Sequence, residues 1–405
     1  MANDSAQAVL SALKSESRRL ARRAGKGALA AALHYSGART LLAAAQRRAV
    51  GGRRVLILSY HRVVGDLAAE SARGLPTLNI SQKTFRRQLV QLLETHDIVS
   101  LDAALEVLAG TRRARRDVAV ITFDDGYRDV YDWAFPSMRE LGVTGVSYVP
   151  SNFIGTRNRL GHDRLWPACK ALSERGGNIS ELGLSPQFAS WMSFAYEGRA
   201  TPNKALERLI GSHATPALYR LADALEDKLG LAGAPVSEGQ LMMSWDMLRE
   251  LSAAGWDIGG HTANHTVLTN QTLTCARSEI FQCRDAIEQG VRRPVRHFAY
   301  CNGYYSAGIA RALHEAGFVS GVTTEDMPNV PGVDPFALKR KVLWEASSAG
   351  ALGDYSPSLT ACQLDDVFGL LSLQRPVAGV RAGGDPPQLS LDERGSGQRS
   401  SVGGR

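Results

Sequence analysis

The sequence lacks a long hydrophobic run, a regular cysteine framework and an ordinary secretory signal. No stretch of eighteen or more apolar residues occurs, so a membrane-spanning helix is not expected. The five cysteines form no CxxC pair, which argues against a disulfide scaffold or a cysteine zinc site and makes a reducing cytoplasm the default compartment. Arginines recur through residue 54 with no apolar segment and cleavage site, so secretion by the usual signal is not expected.

Excess positive charge is also absent from most of the chain. Residues 1–54 carry eleven Lys or Arg against two acidic residues, a net charge of +9, whereas the whole chain has +7 and the other 351 residues therefore −2. The basic character belongs to the N-terminal segment and not to the rest of the chain. No nucleic-acid partner is expected.

The basic segment is predicted to be helical over residues 5–50. Its positive side chains recur at helical neighbours: Arg18, Arg19, Arg22, Arg23 and Lys26. Two interpretations carry equal weight. Residues 10–54 lie on an anionic membrane surface, or they form a solvated helix packed on the main domain. The expected location is the cytoplasm, with membrane association under the first interpretation.

From residue 54 onward, apolar runs of strand length alternate with amphipathic helical patterns. This order is typical of a parallel sheet or barrel. The alternation is interrupted over about residues 155–240, where helical patterns are mixed with Gly, Ser and Pro, which predicts a helical insertion. We therefore divide the chain into a basic helical extension (1–52), a main domain (53–350) and a C-terminal segment (351–405), with disorder expected from about residue 375.

Two adjacent carboxylates, Asp124 and Asp125, close the most regular of these apolar runs. The run over 118–121 is β-branched, and a glycine follows the acids at once, so the pair is predicted to sit where a buried strand ends. In parallel α/β sheets and barrels, that end of the strands is where chemistry is placed. By itself the pair is weak evidence for a functional site, because Asp-Asp-Gly is also an ordinary turn sequence.

Histidines follow two other predicted strands. His261 and His265 come directly after the apolar segment 256–260, and a pair at this spacing can bind one metal ion. His61 ends the run 54–60. Because strand ends of a parallel sheet converge, we expect the carboxylates and these histidines to lie close together and to form a site for a divalent metal. One of the two carboxylates would not be needed as a ligand.

These motifs resemble those of a known family. TFDDGY (122–127) followed by GGHTANH (259–265) resembles the first two motifs of the polysaccharide deacetylases, the NodB-homology domain of carbohydrate esterase family four. LSYHRV (58–63) and FAYCNG (298–303) resemble landmarks of the exopolysaccharide-associated branch. The resemblance covers about residues 54–345. It implies an α/β fold, a distorted (β/α) barrel of about seven strands, that removes N-acetyl groups from glucosamine-type residues of a glycan.

The resemblance also implies roles for individual residues. Asp125, His261 and His265 would hold a divalent metal, most often Zn²⁺, and Asp124 would be the general base. The backbone amide of Asn302 would stabilise the oxyanion. Tyr127, Tyr300 and Trp166 are expected at the substrate, as aromatic surfaces for sugar rings, although aromatic residues more often fill cores.

The chain departs from the family pattern at two places. The arginine usual in the third motif is absent from FAYCNG, and Arg340 is the replacement that we consider for orienting the base. The late Leu-x-His that supplies the general acid has no match after residue 314, so His61 becomes the candidate acid, against the alternative of a histidine bonded to a neighbouring loop.

The predicted function is the metal-dependent hydrolysis of N-acetyl groups in a polysaccharide, oligosaccharide or lipid-linked glycan. Two alternatives remain open at this point. One is the hydrolysis of another acyl or formyl amide on a sugar. The other is a catalytically weakened glycan-binding relative, which the degraded third motif favours and the retained Asp124 disfavours.

Overall fold

The computed structural model describes residues 2–49, 52–174, 179–196, 200–233 and 236–371. Its strands are β1 (Val55–Tyr60), β2 (Arg62–Val64), β3 (Asn79–Ser81), β4 (His96–Ile98), β5 (Asp117–Phe123), β6 (Val146–Val149), β7 (Asp257–Gly260), β8 (His297–Ala299), β9 (Ser320–Val322) and β10 (Lys341–Val342).

The helices outside the insertion are α1 (Ala2–Tyr35), α2 (Ala38–Ala49), α3 (Leu67–Arg73), α4 (Gln82–Thr95), α5 (Leu101–Leu108), α6 (Phe135–Glu140), α11 (Trp245–Ala253), α12 (Leu273–Val291), α13 (Ala307–Glu315), α14 (Pro357–Leu364) and α15 (Val367–Leu370). The insertion contains α7 (Gly161–Glu174), α8 (Pro186–Ala195), α9 (Pro202–Ser212) and α10 (Thr215–Leu229).

A parallel sheet in the order β10-β1-β5-β6-β7-β8-β9 forms the barrel wall. Strand β4 pairs with the first residues of β5 and β6 with its last, so both use the same edge of that strand. The amide of Leu338 donates to Gly321 and its carbonyl accepts from Thr323, which links β9 to the segment entering β10. The predicted α/β fold, a distorted (β/α) barrel of about seven strands, is confirmed.

The helices pack against this wall through single apolar faces, as α4 illustrates. It begins at Ser81, whose hydroxyl accepts from the amide of Thr84 at 3.2 Å, as the sequence predicts for a helix cap. Phe85, Leu89 and Leu92 recur at helical spacing and are fully buried in the barrel core.

The sequence predicts a short strand over about 98–101, and this local prediction is wrong. The strand forms earlier, as β4, because the hydroxyl of Ser100 accepts from the amide of Ala103 and begins α5 there. The sequence also predicts a helix from after Tyr127 to about Leu141, and helical structure covers this stretch, beginning with a π-helical turn, Val130–Ala134, before α6. Pro136 stands in the first turn of α6 and has no N–H to donate, which interrupts the regular α-helical pattern.

The insertion between β6 and β7 has a hydrophobic core of its own. All four helices contribute its buried residues, among them Leu165, Met192, Leu206 and Leu221. The sequence predicts helices over 164–173, 204–210 and 216–229, which correspond to α7, α9 and α10, whereas α8 is not predicted. The insertion is therefore a small helical unit that reaches the barrel mouth through the start of α7.

The basic N-terminal helices pack against the C-terminal end of the described chain. Ala30 of α1 is buried with Leu359, Cys362 and Phe368, and the Lys26 ammonium lies 4.3 Å from the centre of the Phe368 ring. Within the described ranges, no helix is both long and apolar enough to cross a lipid bilayer. Contact of residues 10–54 with an anionic surface stays a prediction, and the disorder expected for 375–405 concerns residues outside the described ones.

Candidate active site

The polar residues predicted for the site meet at the carboxyl ends of the barrel strands. Asp124 and Asp125 follow β5, His261 follows β7, and Asn302 lies in the turn after β8. Gly259 lets β7 approach its neighbours, because a Cβ there would lie 2.4 Å from the Tyr148 ring of β6. The close approach of β6 and β7 sets the position from which His261 projects.

Arg340 and Asp124 form a buried, two-armed ion pair. The two terminal guanidinium nitrogens each lie 2.7 Å from one carboxylate oxygen, and the arginine side chain is fully buried. Arg340 also donates from Nε to the carbonyl of Thr323 at 2.9 Å and from one terminal nitrogen to the Thr122 hydroxyl at 3.2 Å. This fork fixes the orientation of the Asp124 carboxylate.

The ion pair also decides the charge of Asp124. Burial by itself raises the pKa of the Asp124 carboxyl, but the adjacent Arg340 guanidinium more than offsets it, so the pKa lies below its ordinary value. The Asp124 carboxylate is therefore ionised at neutral pH although it is buried. It can accept a proton without first losing one.

Asp125 faces histidines rather than an arginine. Its Oδ1 lies 3.3 Å from Nε2 of His261 and 3.0 Å from Nε2 of His265. Nδ1 of His261 is 2.7 Å from the carbonyl of Ala299, so Nδ1 carries the hydrogen and Nε2 presents its lone pair to the site. A carboxylate and two imidazole nitrogens this close to one another are a donor set that suits zinc.

The loop that carries both histidines is held by one of its own side chains and by a glutamate of α12. The Thr262 hydroxyl accepts from the amide of Thr266 at 2.7 Å, and Glu279 of α12 accepts from the backbone and side-chain nitrogens of Asn264, each at 2.8 Å. These bonds close a tight turn over 262–266. His261 and His265 thereby point to the same side.

The backbone of the site is locally strained. Six residues other than glycine have a positive φ in the described chain, and four of them lie at this edge of the barrel: Asp125 (72°), Thr262 (64°), His265 (52°) and Asn302 (58°). Such a conformation is unfavourable for residues with a Cβ and persists only where the surroundings enforce it. The concentration at one edge marks this edge as the functional one.

His162 is a site residue that sequence reasoning missed. It lies in the first turn of α7, is buried, and has Nε2 at 3.7 Å from Oδ2 of Asp125. Its ring lies 5.3 Å from that of His265. No apolar strand precedes His162, so the strand-end rule gives no signal, and the glycine-led pair His162-Asp163 at a helix start was the available hint.

The predicted acid and oxyanion residues occupy the same edge. Nδ1 of His61 is buried and has no hydrogen-bond partner among the described residues. Burial lowers the pKa of His61, against the opposite effect of the Asp125 and Asp124 carboxylates, so the imidazole is mostly neutral at pH 7. Asn302 is exposed in the turn Cys301–Gly303.

The aromatic residues predicted at the substrate are buried. Tyr127 is fully buried and its hydroxyl donates to Asp163, while Tyr300 is 1% exposed and donates to the carbonyl of Phe336. Trp166 is 6% exposed in the core of the insertion. None of the three presents an open ring face for a sugar in this structure.

One protein-family model covers just over half of the chain. A family model described as polysaccharide deacetylase matches residues 111–321, which are 211 of the 405 residues. No curated protein sequence matches the chain.

Several solved structures match most of the chain at low sequence identity. IcaB from Ammonifex degensii is 18% identical, with 77% of this chain and 98% of that chain covered at a TM-score of 0.49. Streptococcus pyogenes deacetylase PplD, in complex with acetate, is 15% identical, with 74% and 96% covered at 0.48. A de-N-acetylase from Aggregatibacter actinomycetemcomitans is 15% identical, with 72% and 95% covered at 0.46. At these identities and TM-scores, the likeness supports no statement about activity.

Proposed function

Because the chain belongs to the polysaccharide deacetylase family, and so to the hydrolases of carbon–nitrogen bonds other than peptide bonds, we propose that it is a metal-dependent deacetylase of amino sugars. The substrate is an N-acetylglucosamine-type residue in a polysaccharide, oligosaccharide or lipid-linked glycan. The observation that carries this proposal is the contrast between two adjacent carboxylates, of which Asp124 is paired with Arg340 and Asp125 faces histidines.

The residues present fit a zinc ion. Asp125, His261 and His265 would hold it, since their donor atoms lie 3.0 and 3.3 Å apart and the His261 tautomer is fixed by the carbonyl of Ala299. A zinc ion bound there supplies Lewis-acid polarisation of the amide carbonyl and favours ionisation of the attacking water. Nitrogen and carboxylate donors also suit other divalent metals, so the choice of zinc is part of the proposal.

Asp124 acts as the general base. Its carboxylate is ionised and is oriented by Arg340, so it takes the proton of the water that attacks the acetyl carbon. The water oxygen bonds to that carbon, the carbon–nitrogen bond breaks, and the amine leaves with a proton. Acetate and a free amino sugar are the products. The backbone amide of Asn302 stabilises the negative charge on the carbonyl oxygen.

His61 delivers the proton to the leaving amine. Its unpartnered, buried Nδ1 supports this role, whereas its lowered pKa means that it acquires the proton during turnover rather than holding it at rest. His61→Gln is expected to lower the rate of acetate release by about 10²-fold with zinc content unchanged. A wild-type rate in this variant would make His61 a structural residue.

A panel of acylated glycans tests the function itself. The zinc-loaded protein is expected to release acetate from N-acetylglucosamine oligomers, to lose this activity on chelation and to regain it with zinc. N-formyl and O-acetyl sugars in the same panel test the alternative acyl groups. Binding of the oligomers without any product from the whole panel would instead identify a glycan-binding relative.

A further inference from the structure

We propose that His162, contributed by the helical insertion, is a fourth protein ligand of the metal. This inference rests on the proposed function for the existence of the metal, but it concerns a residue outside the family motifs. The site predicted from the sequence contains three protein ligands, which leaves one tetrahedral position for water and substrate. A fourth ligand from the insertion changes both the retention of the metal and the access to it.

The distances allow His162 to share one ion with Asp125. Zinc lies about 2.0–2.2 Å from nitrogen and oxygen ligands, so two donors of one ion are at most about 4.4 Å apart. Nε2 of His162 lies 3.7 Å from Oδ2 of Asp125, within this limit. The donor atoms of Asp125, His162 and His265 all lie within 4.8 Å of one another, so small side-chain shifts bring the three onto a common ion.

A single neutral hydrogen bond holds His162 next to this position. The buried Tyr127 side chain places its hydroxyl between Asp163 and His162. That hydroxyl donates to Asp163 at 2.7 Å, and its oxygen accepts from Nε2 of His162 at 2.7 Å. Such a bond is weak compared with ligation of zinc. When His162 exchanges Tyr127 for the metal, the neutral imidazole carries its hydrogen on Nδ1 instead, so that Nε2 offers its lone pair to the ion.

Cys301 is the competing donor. Its Sγ lies 3.8 Å from Nε2 of His261 and forms a second candidate group with His261 and His265. The thiol also lies 3.6 Å from the His261 carbonyl and 3.7 Å from the Thr262 hydroxyl, both of which hold it on the loop side. His162 instead faces Oδ2 of Asp125, whereas His261 and His265 lie next to Oδ1, and this favours His162.

Ligation by His162 would couple the insertion to the metal. With Asp125, His261, His265 and His162 bound, a tetrahedral shell is full, so substrate binding requires a fifth position or release of His162 back to Tyr127. The start of α7 then acts directly on the reaction centre.

X-ray absorption at the zinc edge tests this on the full-length, zinc-loaded protein without substrate. Three imidazole ligands are expected in the wild type and two in His162→Gln, with zinc affinity reduced at least about tenfold. His213→Gln is the matched control, because His213 is also a histidine of the insertion but bonds to the Leu209 carbonyl and packs on Trp191. Circular dichroism verifies that each variant is folded.

Tyr127→Phe separates a ligand from a residue that acts through hydrogen bonding. This variant removes the bond to His162 but leaves the imidazole, so three imidazoles and at least wild-type zinc affinity are expected. Two imidazoles in the wild type, or a sulfur ligand from Cys301, would overturn the inference and leave the proposed function intact. Failure of the wild type to bind any divalent metal would instead overturn the metal-dependent function.

Discussion

The two edges of the barrel sheet carry similar groups for different purposes. At the carboxyl edge, Arg340 pairs with Asp124 beside a group of histidines. At the amino edge, Arg54 pairs with Asp117 through Nε and a terminal nitrogen at 3.2 and 3.0 Å, close to the start of β4 at His96. Both edges therefore bury an arginine–aspartate pair and histidines.

Shifted pKa values do not distinguish the two edges. Burial lowers the pKa of His96 and of His297, at the amino edge, to about 4, and it also lowers the pKa of His61 and His162 at the carboxyl edge. The convergence of donors does distinguish them. Within the described ranges, both groups of residues that can hold a metal lie at the carboxyl edge, where the positive φ angles also concentrate. A shifted pKa marks a buried group, and only converging geometry marks a site.

Arg340→Met should show the largest effect, because it should lower both the rate of acetate release and the free energy of unfolding. Without the guanidinium, Asp124 is a buried carboxylate with no cationic partner, so the free energy of unfolding should fall by about 3–5 kcal/mol. The pKa of Asp124 should rise, which moves the acid limb of the rate profile to higher pH. Urea unfolding and acetate release against pH measure the two effects.

Arg340→Lys is the matched control, because it retains the charge and loses the fork. It should recover most of the stability and only part of the rate. Wild-type stability and an unshifted profile in Arg340→Met would show that the ion pair has no role.

Arg54→Met should reduce stability by a similar amount and leave catalysis unchanged. Arg54 is 4% exposed and holds Asp117 at the opposite end of the strands from the site, so its loss costs about 3–5 kcal/mol of the free energy of unfolding. The rate per folded molecule should equal that of the wild type. Arg53→Met, at the exposed neighbouring position, should change stability by less than about 0.5 kcal/mol. A specific loss of rate in Arg54→Met would break the comparison between the edges.

His297→Gln should have the smallest effect, visible in the pH dependence of stability. The folded pKa of His297, about 4, lies below the ordinary value of about 6.5, so the unfolded chain binds the proton first. The contribution of this residue is complete above pH 6.5 and is lost as the pH falls toward 4, by at most about 3 kcal/mol.

The measurement for His297 is the free energy of unfolding at pH 7 and pH 4.5. The difference between the two values should be smaller in His297→Gln than in the wild type, whereas His314→Gln, at an exposed position, should leave it unchanged. An equal difference in all three proteins would contradict the shifted pKa.

The sequence predicts the carboxyl edge well because its chemistry follows strands. Apolar runs end at Asp124 and His261, and because the carboxyl ends of parallel strands lie at one edge, these residues are expected to be close in space. The strand pattern does not predict Arg340 as a site residue, because Arg340 lies at the amino end of β10. It reaches Asp124 only because its long side chain extends through the barrel interior. The resemblance to the family, not the strand pattern, drew attention to it.

Contacts across the insertion could not be predicted in the same way. His162 begins a helix with no strand before it, and its distance to Asp125 depends on how a separately packed helical unit meets the barrel. The substrate role predicted for Tyr127, Tyr300 and Trp166 has a similar origin. Sequence shows an aromatic residue near a motif, whereas burial and hydroxyl bonding decide whether its ring is open to a ligand.

The assignment of Asp124 as the base, distinct from the ligand Asp125, is the central claim. Its most direct test is Asp124→Asn, with zinc content and acetate release from an N-acetylglucosamine oligomer measured on the same sample. Because Asp125, His261 and His265 remain, zinc should be retained while the rate falls by about 10²–10⁴-fold. Acetate release at the wild-type rate from zinc-loaded Asp124→Asn would contradict the account.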